Sequence, residues 1–401
     1  MRDEGPRQAV RAVWAACRRR LRRSGQRLVP CPPVAEPQAA AVVAPQAPRV
    51  LAFYLPQFHP IPENDRWWGE GFTEWHNVAR ARPLFPGHAQ PDLPGALGFY
   101  DLRLPEVLRR QVDLAKHHGL SGFCFHYYWF SGSRLLEGPL DAFLADTGCD
   151  LPFCLNWANE NWTRRWDGQE RDVLMRQRHT PEDDRAMMAD LLRYFADPRY
   201  IRLDGRPVLL VYHAALLPDM AATIARWREV CAAVGERPPF CVMVQSFANE
   251  DPRTSGFDAA AQFPPHAPHL PLGLPQGRVS KFSGKAVAYE ELARQMLAAL
   301  DGRFPVFPCV CPGWDNTPRR GAKATVFVGA SPERYAAWLE AACRHVQTTL
   351  PAEQRLVFVN AWNEWGEGAH LEPCRNWGYG FLNATGRILA AVNRRKSSNL
   401  Q

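Results

Sequence analysis

From residue 49 onward, the chain alternates between short, continuous apolar runs and longer stretches with helical periodicity. The apolar runs are rich in β-branched and aromatic residues. Runs of this length are typical of strands that are covered on both faces, as in a parallel sheet. Eight strands are predicted, at residues 50–55, 120–126, 151–157, 207–213, 239–245, 257–263, 304–310 and 356–362.

Helices are predicted between most of these strands, at residues 105–118, 138–147, 181–196, 218–234, 287–301, 332–348 and 380–394. Two of them begin with a favourable cap, because Thr180 and Ser331 each precede a Pro-Glu pair. Eight strands in alternation with helices predict an α/β fold, a (β/α)8 TIM-like barrel with long βα loops. An open, doubly wound sheet is the alternative, although no Gly-x-Gly-x-x-Gly sequence follows a predicted strand.

The region before the barrel has a different composition. Residues 1–29 are a basic amphipathic tail, and the pattern fits peripheral contact of residues 7–28 with an anionic membrane surface. A solvated or partly disordered tail is the alternative. Residues 30–48 are rich in Pro and Ala, as expected of a linker. This leaves residues 49–398 as the predicted catalytic domain.

Charge and cysteine content narrow the class of protein. The formal net charge is +7 and comes from the first 49 residues, so the neutral remainder argues against nucleic-acid binding. The sequence has no run of about 18 apolar residues, so no transmembrane helix is predicted. Several of the 11 cysteines lie inside apolar runs, which indicates reduced core thiols and a cytoplasmic location, with membrane association through the tail as a further expectation. No metal or cofactor is predicted.

Polar and aromatic residues gather where the predicted strands end and in the loops that follow. In a parallel barrel these ends converge on one mouth. Indole faces pack against sugar rings, and amides, imidazoles and carboxylates bind hydroxyls, so the mixture predicts a carbohydrate site. The alternative is that many of these aromatics only anchor loops. The candidate substrate-binding residues are Tyr54, Gln57, His59, Trp67, Trp68, Glu74, Trp75, His126, Tyr127, Tyr128, Asn156, Trp157, Asn159, Glu160, Trp162, Trp166, Tyr212, Trp314, Asp315, Trp362 and Asn363.

Two carboxylates follow the last predicted strand. Glu364 and Glu367 are three residues apart in Asn-Glu-Trp-Gly-Glu-Gly, so one helical turn would project both from the same face. Cleavage of a glycosidic bond uses one group to protonate the leaving oxygen and another on the anomeric side, which makes this pair the catalytic candidate. A solvated acidic turn is the alternative, and Glu160, after the third strand, is a rival acid.

The sequence resembles the WbsX-type family of bacterial polysaccharide-locus proteins, which is related to the endo-α-mannosidases of glycoside hydrolase family 99. The motifs that carry the resemblance are Phe53–Pro62, Trp67–Val78, Leu97–Pro105, Gly122–Phe130, Leu155–Gly168, Pro312–Arg319 and Asn360–Pro373. The resemblance implies that Glu364 removes the proton from a sugar 2-hydroxyl and that Glu367 is the general acid and base. It also implies that Glu372 belongs to the site. Gly366 departs from the hydrolases, which carry a larger residue there.

Three functions are compatible with these features. The first is a retaining glycoside hydrolase or transglycosylase that acts on a mannose- or rhamnose-containing glycan of a bacterial surface polysaccharide. The second is a glycosyltransferase that assembles O-antigen, although the sequence has no dinucleotide-type glycine fingerprint and no Asp-x-Asp metal motif behind a strand. The third is a noncatalytic glycan-binding protein. In each case the partner is an oligo- or polysaccharide, and the oligomeric state stays open.

Overall fold

The computed structural model describes residues 34–44, 47–164, 169–247, 249–266 and 282–394. The predicted basic tail and its membrane contact lie outside these ranges, as does Trp166. In chain order the strands are β1 (Arg49–Tyr54), β2 (Gly122–Phe130), β3 (Ser133–Leu135), β4 (Phe153–Trp157), β5 (Trp162–Arg164), β6 (Gln169–Met175), β7 (Arg202–Leu203), β8 (Arg206–Val211), β9 (Phe240–Gln245), β10 (Ala259–Gln262), β11 (Lys285–Ala288), β12 (Val306–Phe307), β13 (Cys309–Val310), β14 (Thr325–Val328), β15 (Leu356–Val359), β16 (Asn363–Glu364) and β17 (Ala369–His370).

The main sheet is a parallel barrel. Its strands follow the order β12, β10, β9, β8, β4, β2, β1, β15 and β13, and every neighbouring pair on this path is parallel. The strands β12 and β13 are two pieces of the predicted seventh strand, separated by Pro308, which has no N–H to donate to a ladder. The barrel closes through this divided strand. All eight predicted strands and the TIM-barrel class are therefore confirmed.

Among the described residues, the seven predicted helices are confirmed to within a few residues at each end, and three shorter helices lie in the loops. In chain order the helices are α1 (Pro62–Trp68), α2 (Trp75–Arg80), α3 (Pro105–His117), α4 (Gly138–Ala145), α5 (Pro181–Phe195), α6 (Met220–Ala233), α7 (Tyr289–Ala298), α8 (Thr317–Arg320), α9 (Pro332–Thr349) and α10 (Gly380–Arg394). The predicted caps also form, because Thr180 Oγ1 accepts a hydrogen bond from the Asp183 amide and Ser331 Oγ accepts one from the Arg334 amide.

The barrel core is aromatic. The Phe53 ring packs against Phe358 at 5.3 Å and against Phe263 at 5.0 Å between ring centres. All nine cysteines among the described residues are buried and free of disulfides, which agrees with the expectation of core thiols. Within the described ranges, no helix is both long enough and apolar enough to cross a membrane.

Several short β elements in the βα loops were not predicted. The strands β5 and β6 form an antiparallel hairpin after β4, and β16 pairs with β17 just after the last barrel strand. The strands β11 and β14 form a separate parallel pair. These strands are short or partly polar, so the apolar-run pattern that revealed the barrel strands does not detect them.

Part of the predicted linker is attached to the barrel. The Ala41 amide donates to the His117 carbonyl at 2.8 Å, at the end of α3. Asn383 on α10 donates from Nδ2 to the Glu36 carbonyl at 2.7 Å and accepts from the Gln38 amide at Oδ1. Residues 34–43 therefore lie along two outer helices.

Candidate active site

A cleft of about 520 Å³ opens at the carboxyl ends of the barrel strands. Its wall combines residues from the ends of β2 and β8, from the β5–β6 hairpin and from the segment after β15. The predicted residues that line it are Gln57, Trp68, His126, Tyr128, Glu160, Trp162, Tyr212, Glu364 and Glu367. The two candidate catalytic acids thus lie on the wall of one cavity.

The backbone carries the two acids on a short, rigid turn. Glu364 ends β16, and Glu367 ends a single 3-10 turn that Gly368 closes in the left-handed conformation, with φ of 61°. Trp365, between them, donates from Nε1 to Glu372 Oε2 at 2.7 Å and stacks on His370 with ring centres 3.6 Å apart. These two contacts of Trp365 therefore hold the turn in place from the side that faces away from the cleft.

One guanidinium group joins three carboxylates at the base of the cleft. Arg319, on α8, places Nη2 2.7 Å from Glu364 Oε1 and Nη1 3.0 Å from Glu367 Oε1. Its Nε lies 3.0 Å from Glu74 Oε1. The Glu74 side chain is fully buried, whereas Glu364 and Glu367 retain 11% and 24% of their side-chain exposure. Only the latter two can meet a substrate.

The cluster of Arg319, Glu74, Glu364 and Glu367 has more acids than cations, and this excess of carboxylates favours retention of a proton. Burial raises the pKa of Glu364 to about 8, and Arg319 offsets part of this increase while Glu367 and Glu74 add to it. Burial alone would lower the pKa of Arg319, but the three carboxylates hold it above its ordinary value. At neutral pH the cluster therefore retains a proton, as a general acid–base site requires.

The neighbouring side chains on β2 are uncharged at neutral pH. Burial, with a smaller effect from Arg319, lowers the pKa of His126 to about 4. Burial and the Glu364 carboxylate raise the pKa of the Tyr128 hydroxyl. Asn156 Nδ2 lies 3.1 Å from His126 Nδ1, so the amide can donate to an unprotonated Nδ1. These groups offer neutral hydrogen bonds to a ligand.

Comparison with known proteins agrees with the barrel fold and with the family resemblance of the sequence. Residues 50–385 match the family described as Glycosyltransferase WbsX.

The chain belongs to the WbsX family.

A relative, the uncharacterized protein WxcX of Xanthomonas campestris pv. campestris, is 50% identical over 342 residues, which cover 85% of this chain and 49% of WxcX. The WbsX-family chain thus spans about half the length of the curated relatives that it matches.

Two solved structures share the fold of this WbsX-family chain. One is described as a glycoside hydrolase-like protein, with a TM-score of 0.55, 13% identity, and coverage of 89% of this chain and 97% of the other. The second is the GH99 endo-alpha-mannosidase from Bacteroides thetaiotaomicron, with a TM-score of 0.55, 15% identity, and coverage of 87% and 98%. At such identities the likeness concerns the barrel alone. The description of the matched family and the glycosidase-like barrel support a carbohydrate-active enzyme.

Some predicted ligand contacts of the WbsX-family chain face the outer helices instead of the cleft. Tyr127 donates to Asp190 Oδ2 on α5 at 2.8 Å, and Trp157 packs against Trp227 on α6. Trp362 packs against Phe123, also on the outer face of the barrel. Successive side chains of a strand point to opposite faces, so only alternate residues at a strand end can reach the mouth.

Other predicted contacts form the support beneath the turn that carries Glu364 and Glu367. Glu372 accepts hydrogen bonds from Trp365, from Tyr100 at Oε2 (2.9 Å) and from Gln111 at Oε1 (2.6 Å). Tyr54 donates to Gln111 at 2.7 Å, which extends the network to β1. Burial raises the pKa of Glu372 to about 7, although its three donors favour the ionised form.

Three of the predicted amides and rings also hold loops in place. Asn363 bridges the two backbone groups of Leu55, accepting from its N–H at 2.8 Å and donating to its carbonyl at 2.9 Å. Asn159 pairs with the backbone of His213 in the same manner. Trp75 donates to the Tyr100 carbonyl and packs against Trp365.

The remaining predicted residues lie around the cleft without lining it. Trp67 packs edge-on against Trp162, which does line the cleft. Trp314 is buried, and Asp315 holds His88 at 2.6 Å. His59 is buried too, and this burial lowers its pKa to about 4.

Sequence reasoning missed several residues on the cleft wall, of which Arg319 matters most. It ends the Pro312–Arg319 motif, so its position in a shared motif was the available signal. His213 was not among the candidate residues, and its Nδ1 lies 3.5 Å from Glu160 Oε1 on the cleft wall. Asn64 and Phe263 also line the cavity; Phe263 ends the predicted strand 257–263, which was the available signal, whereas nothing in the sequence context of Asn64 pointed to it.

Proposed function

We propose that this chain is a retaining glycoside hydrolase or transglycosylase that acts on mannose- or rhamnose-containing glycans of a bacterial surface polysaccharide. The observation that carries the proposal is the placement of Glu364 and Glu367 on the wall of one cleft, each bound to Arg319. The matching barrel of the GH99 endo-alpha-mannosidase supports it at the level of the fold.

In the proposed reaction, the proton that the coupled pair shares moves to Glu367, and the ionised Glu364 accepts the proton of the sugar 2-hydroxyl. The resulting oxygen attacks the anomeric carbon, so a bond from O2 to C1 forms while the bond from C1 to the leaving oxygen breaks. Glu367 donates its proton to that leaving oxygen. Glu367 then deprotonates a water, or the hydroxyl of a second glycan, which opens the three-membered ring and returns the proton to O2 through Glu364. Two inversions at C1 give retention.

The rest of the cleft is suited to a sugar chain. Trp68, Trp162 and Tyr212 provide aromatic surface for packing against pyranose rings. Glu160 and His213, on the wall opposite the acids, provide hydrogen-bonding groups for sugar hydroxyls. These residues would bind and orient the glycan and take no part in bond cleavage.

A direct test incubates the protein with purified mannose- or rhamnose-containing surface polysaccharides and follows fragment size by mass spectrometry. The wild type should release fragments whose new reducing ends keep the anomeric configuration by NMR. Glu364→Gln and Glu367→Gln should each lower the rate by at least about 100-fold. The surface variant Glu340→Gln, on α9, is the matched control. Undiminished fragmentation by both active-site variants would refute the proposal.

A glycosyltransferase that assembles O-antigen is the second candidate, and the description of the matched family favours it. Incubation with nucleotide-sugar donors and a polysaccharide acceptor separates the two. Release of free nucleotide together with chain growth would overturn the hydrolase. Chain growth from glycan donors alone would instead identify transglycosylation, which uses the same two acids.

A further inference from the structure

The Glu74 carboxylate has a position that the proposed reaction does not explain. It lies at the start of α2, is fully buried and does not line the cleft. Its Oε1 accepts hydrogen bonds from Arg319 Nε and from Asn77 Nδ2, at 3.0 and 3.1 Å. Removing two charges from water is costly, so a buried ion pair beside a catalytic cleft calls for a reason.

The geometry of Arg319 supplies that reason. Glu74 occupies the Nε edge of the guanidinium, which fixes the plane of the group. The two Nη atoms are then directed at Glu364 and Glu367, which belong to different segments of the turn. A planar fork can hold two acids at a set separation, whereas a lysine ammonium acts as a single point charge.

Gly366 completes this arrangement. A Cβ at position 366 would lie 2.5 Å from Glu74 Oε1 and 2.7 Å from Arg319 Nε. The ion pair therefore occupies the space that any larger residue between the two acids would need. This explains why residue 366 is a glycine here, whereas the related hydrolases are expected to carry a larger residue at this position.

We propose that Arg319, oriented by Glu74 and accommodated by Gly366, is a positioning residue that sets the separation and the proton balance of Glu364 and Glu367. The inference rests on the proposed function only in treating the two acids as catalytic. Several titratable or charged groups face Glu364 from the elements packed against it. They are Glu74 before α2, Arg319 on α8, Glu367 on the 3-10 turn, and His126 and Tyr128 on β2.

The test first measures the protonation of Glu364 without any substrate. Between about pH 4.5 and pH 8, native Glu364 holds a proton that the unfolded chain has lost, so the wild type loses stability as pH rises through this window. Glu364→Gln removes that loss. The difference in Tm between this variant and the wild type should therefore grow with pH and level off near pH 8.

The same comparison is then repeated in two variant backgrounds. In Glu74→Gln, the pH at which the Tm difference levels off should fall by about one unit, because a like charge is gone. In Arg319→Gln it should move up by about one unit, because the favourable cation is gone. If both pH values coincide with that of the wild type, the inference is overturned. Should Arg319→Gln fail to fold, the Glu74→Gln result alone decides in the same way.

Activity on the glycan tests the fork geometry. Arg319→Lys keeps the charge and Gly366→Ala keeps all charges, yet both should reduce kcat/KM at least about 10-fold, since neither holds both acids in place. Arg294→Lys, at an exposed pair on α7, should match the wild type. Full activity in both active-site variants would overturn the inference. A wild type without activity on any glycan would refute the proposed function, while the Tm comparison would still decide this inference.

Discussion

The shared proton of Glu364 and Glu367 predicts opposite pH dependences for two kinds of substrate. With a natural glycan, the leaving oxygen must be protonated, so one proton has to stay on the pair. The pKa of about 8 at Glu364 marks the loss of the last proton from the coupled pair. From pH 7 to pH 10, the protonated fraction falls from about 90% to about 1%, so kcat/KM should fall about 90-fold.

An aryl glycoside with a good leaving group needs no proton from Glu367, so only the base matters. Glu364 has to be ionised to accept the 2-hydroxyl proton. The ionised fraction rises from about 1% at pH 6 to about 50% at pH 8, and kcat/KM should rise about 50-fold. Glu367→Gln should retain most of its activity on this substrate, while Glu364→Gln should not.

The assay measures initial rates from pH 6 to pH 10 with both substrates, in buffers of constant ionic strength. Glu340→Gln is the control, and activity restored on return to pH 7 excludes irreversible unfolding. If the rate on the aryl glycoside falls above pH 8 just as it does on the glycan, Glu364 supplies the catalytic proton and the two roles are exchanged. A flat profile from pH 6 to pH 10 would show that ionisation of Glu364 plays no part.

Three further predictions concern the support of the site, the fold and the charge of the cleft. Trp365→Phe removes the hydrogen bond to Glu372. Thermal denaturation should show that the fold is destabilised by about 1–3 kcal/mol, and kcat should fall. An unchanged Tm would contradict the supporting role of this hydrogen bond. Thr180→Ala removes the α5 cap and should cost about 1 kcal/mol without changing activity, as measured by denaturation and initial rates. A permanently cationic sugar mimic should bind more tightly as pH rises from 6 to 9, because Glu364 gains charge; calorimetry that shows a constant Kd would contradict this.

The barrel could be predicted because its signal is redundant. Each of the eight strands is an apolar run covered on both faces, and the caps at Thr180 and Ser331 mark helix starts independently. The side of the barrel that carries the site also follows from sequence, because polar residues collect after strand ends. The division of the seventh strand at Pro308 leaves the topology unchanged.

The individual contacts were harder to predict, for two physical reasons. Sequence order places Tyr127 and Trp157 at strand ends, but the pleat turns them outward to Asp190 and Trp227. Arg319 lies on a four-residue helix inside a long loop, where no periodicity locates a side chain. Contacts across such loops depend on tertiary packing, which a single sequence does not specify.

The charge balance of the cleft connects these findings. Glu160, Glu364 and Glu367 line it, Glu74 lies beneath, and Arg319 is the cation that touches three of these acids. Without Arg319, the two catalytic candidates would repel each other and move apart. With a second cation, both would be held ionised and neither could donate a proton. One arginine for three acids leaves the pair close together, partly protonated and net negative, which would favour the positive charge that develops at the anomeric carbon in the proposed reaction.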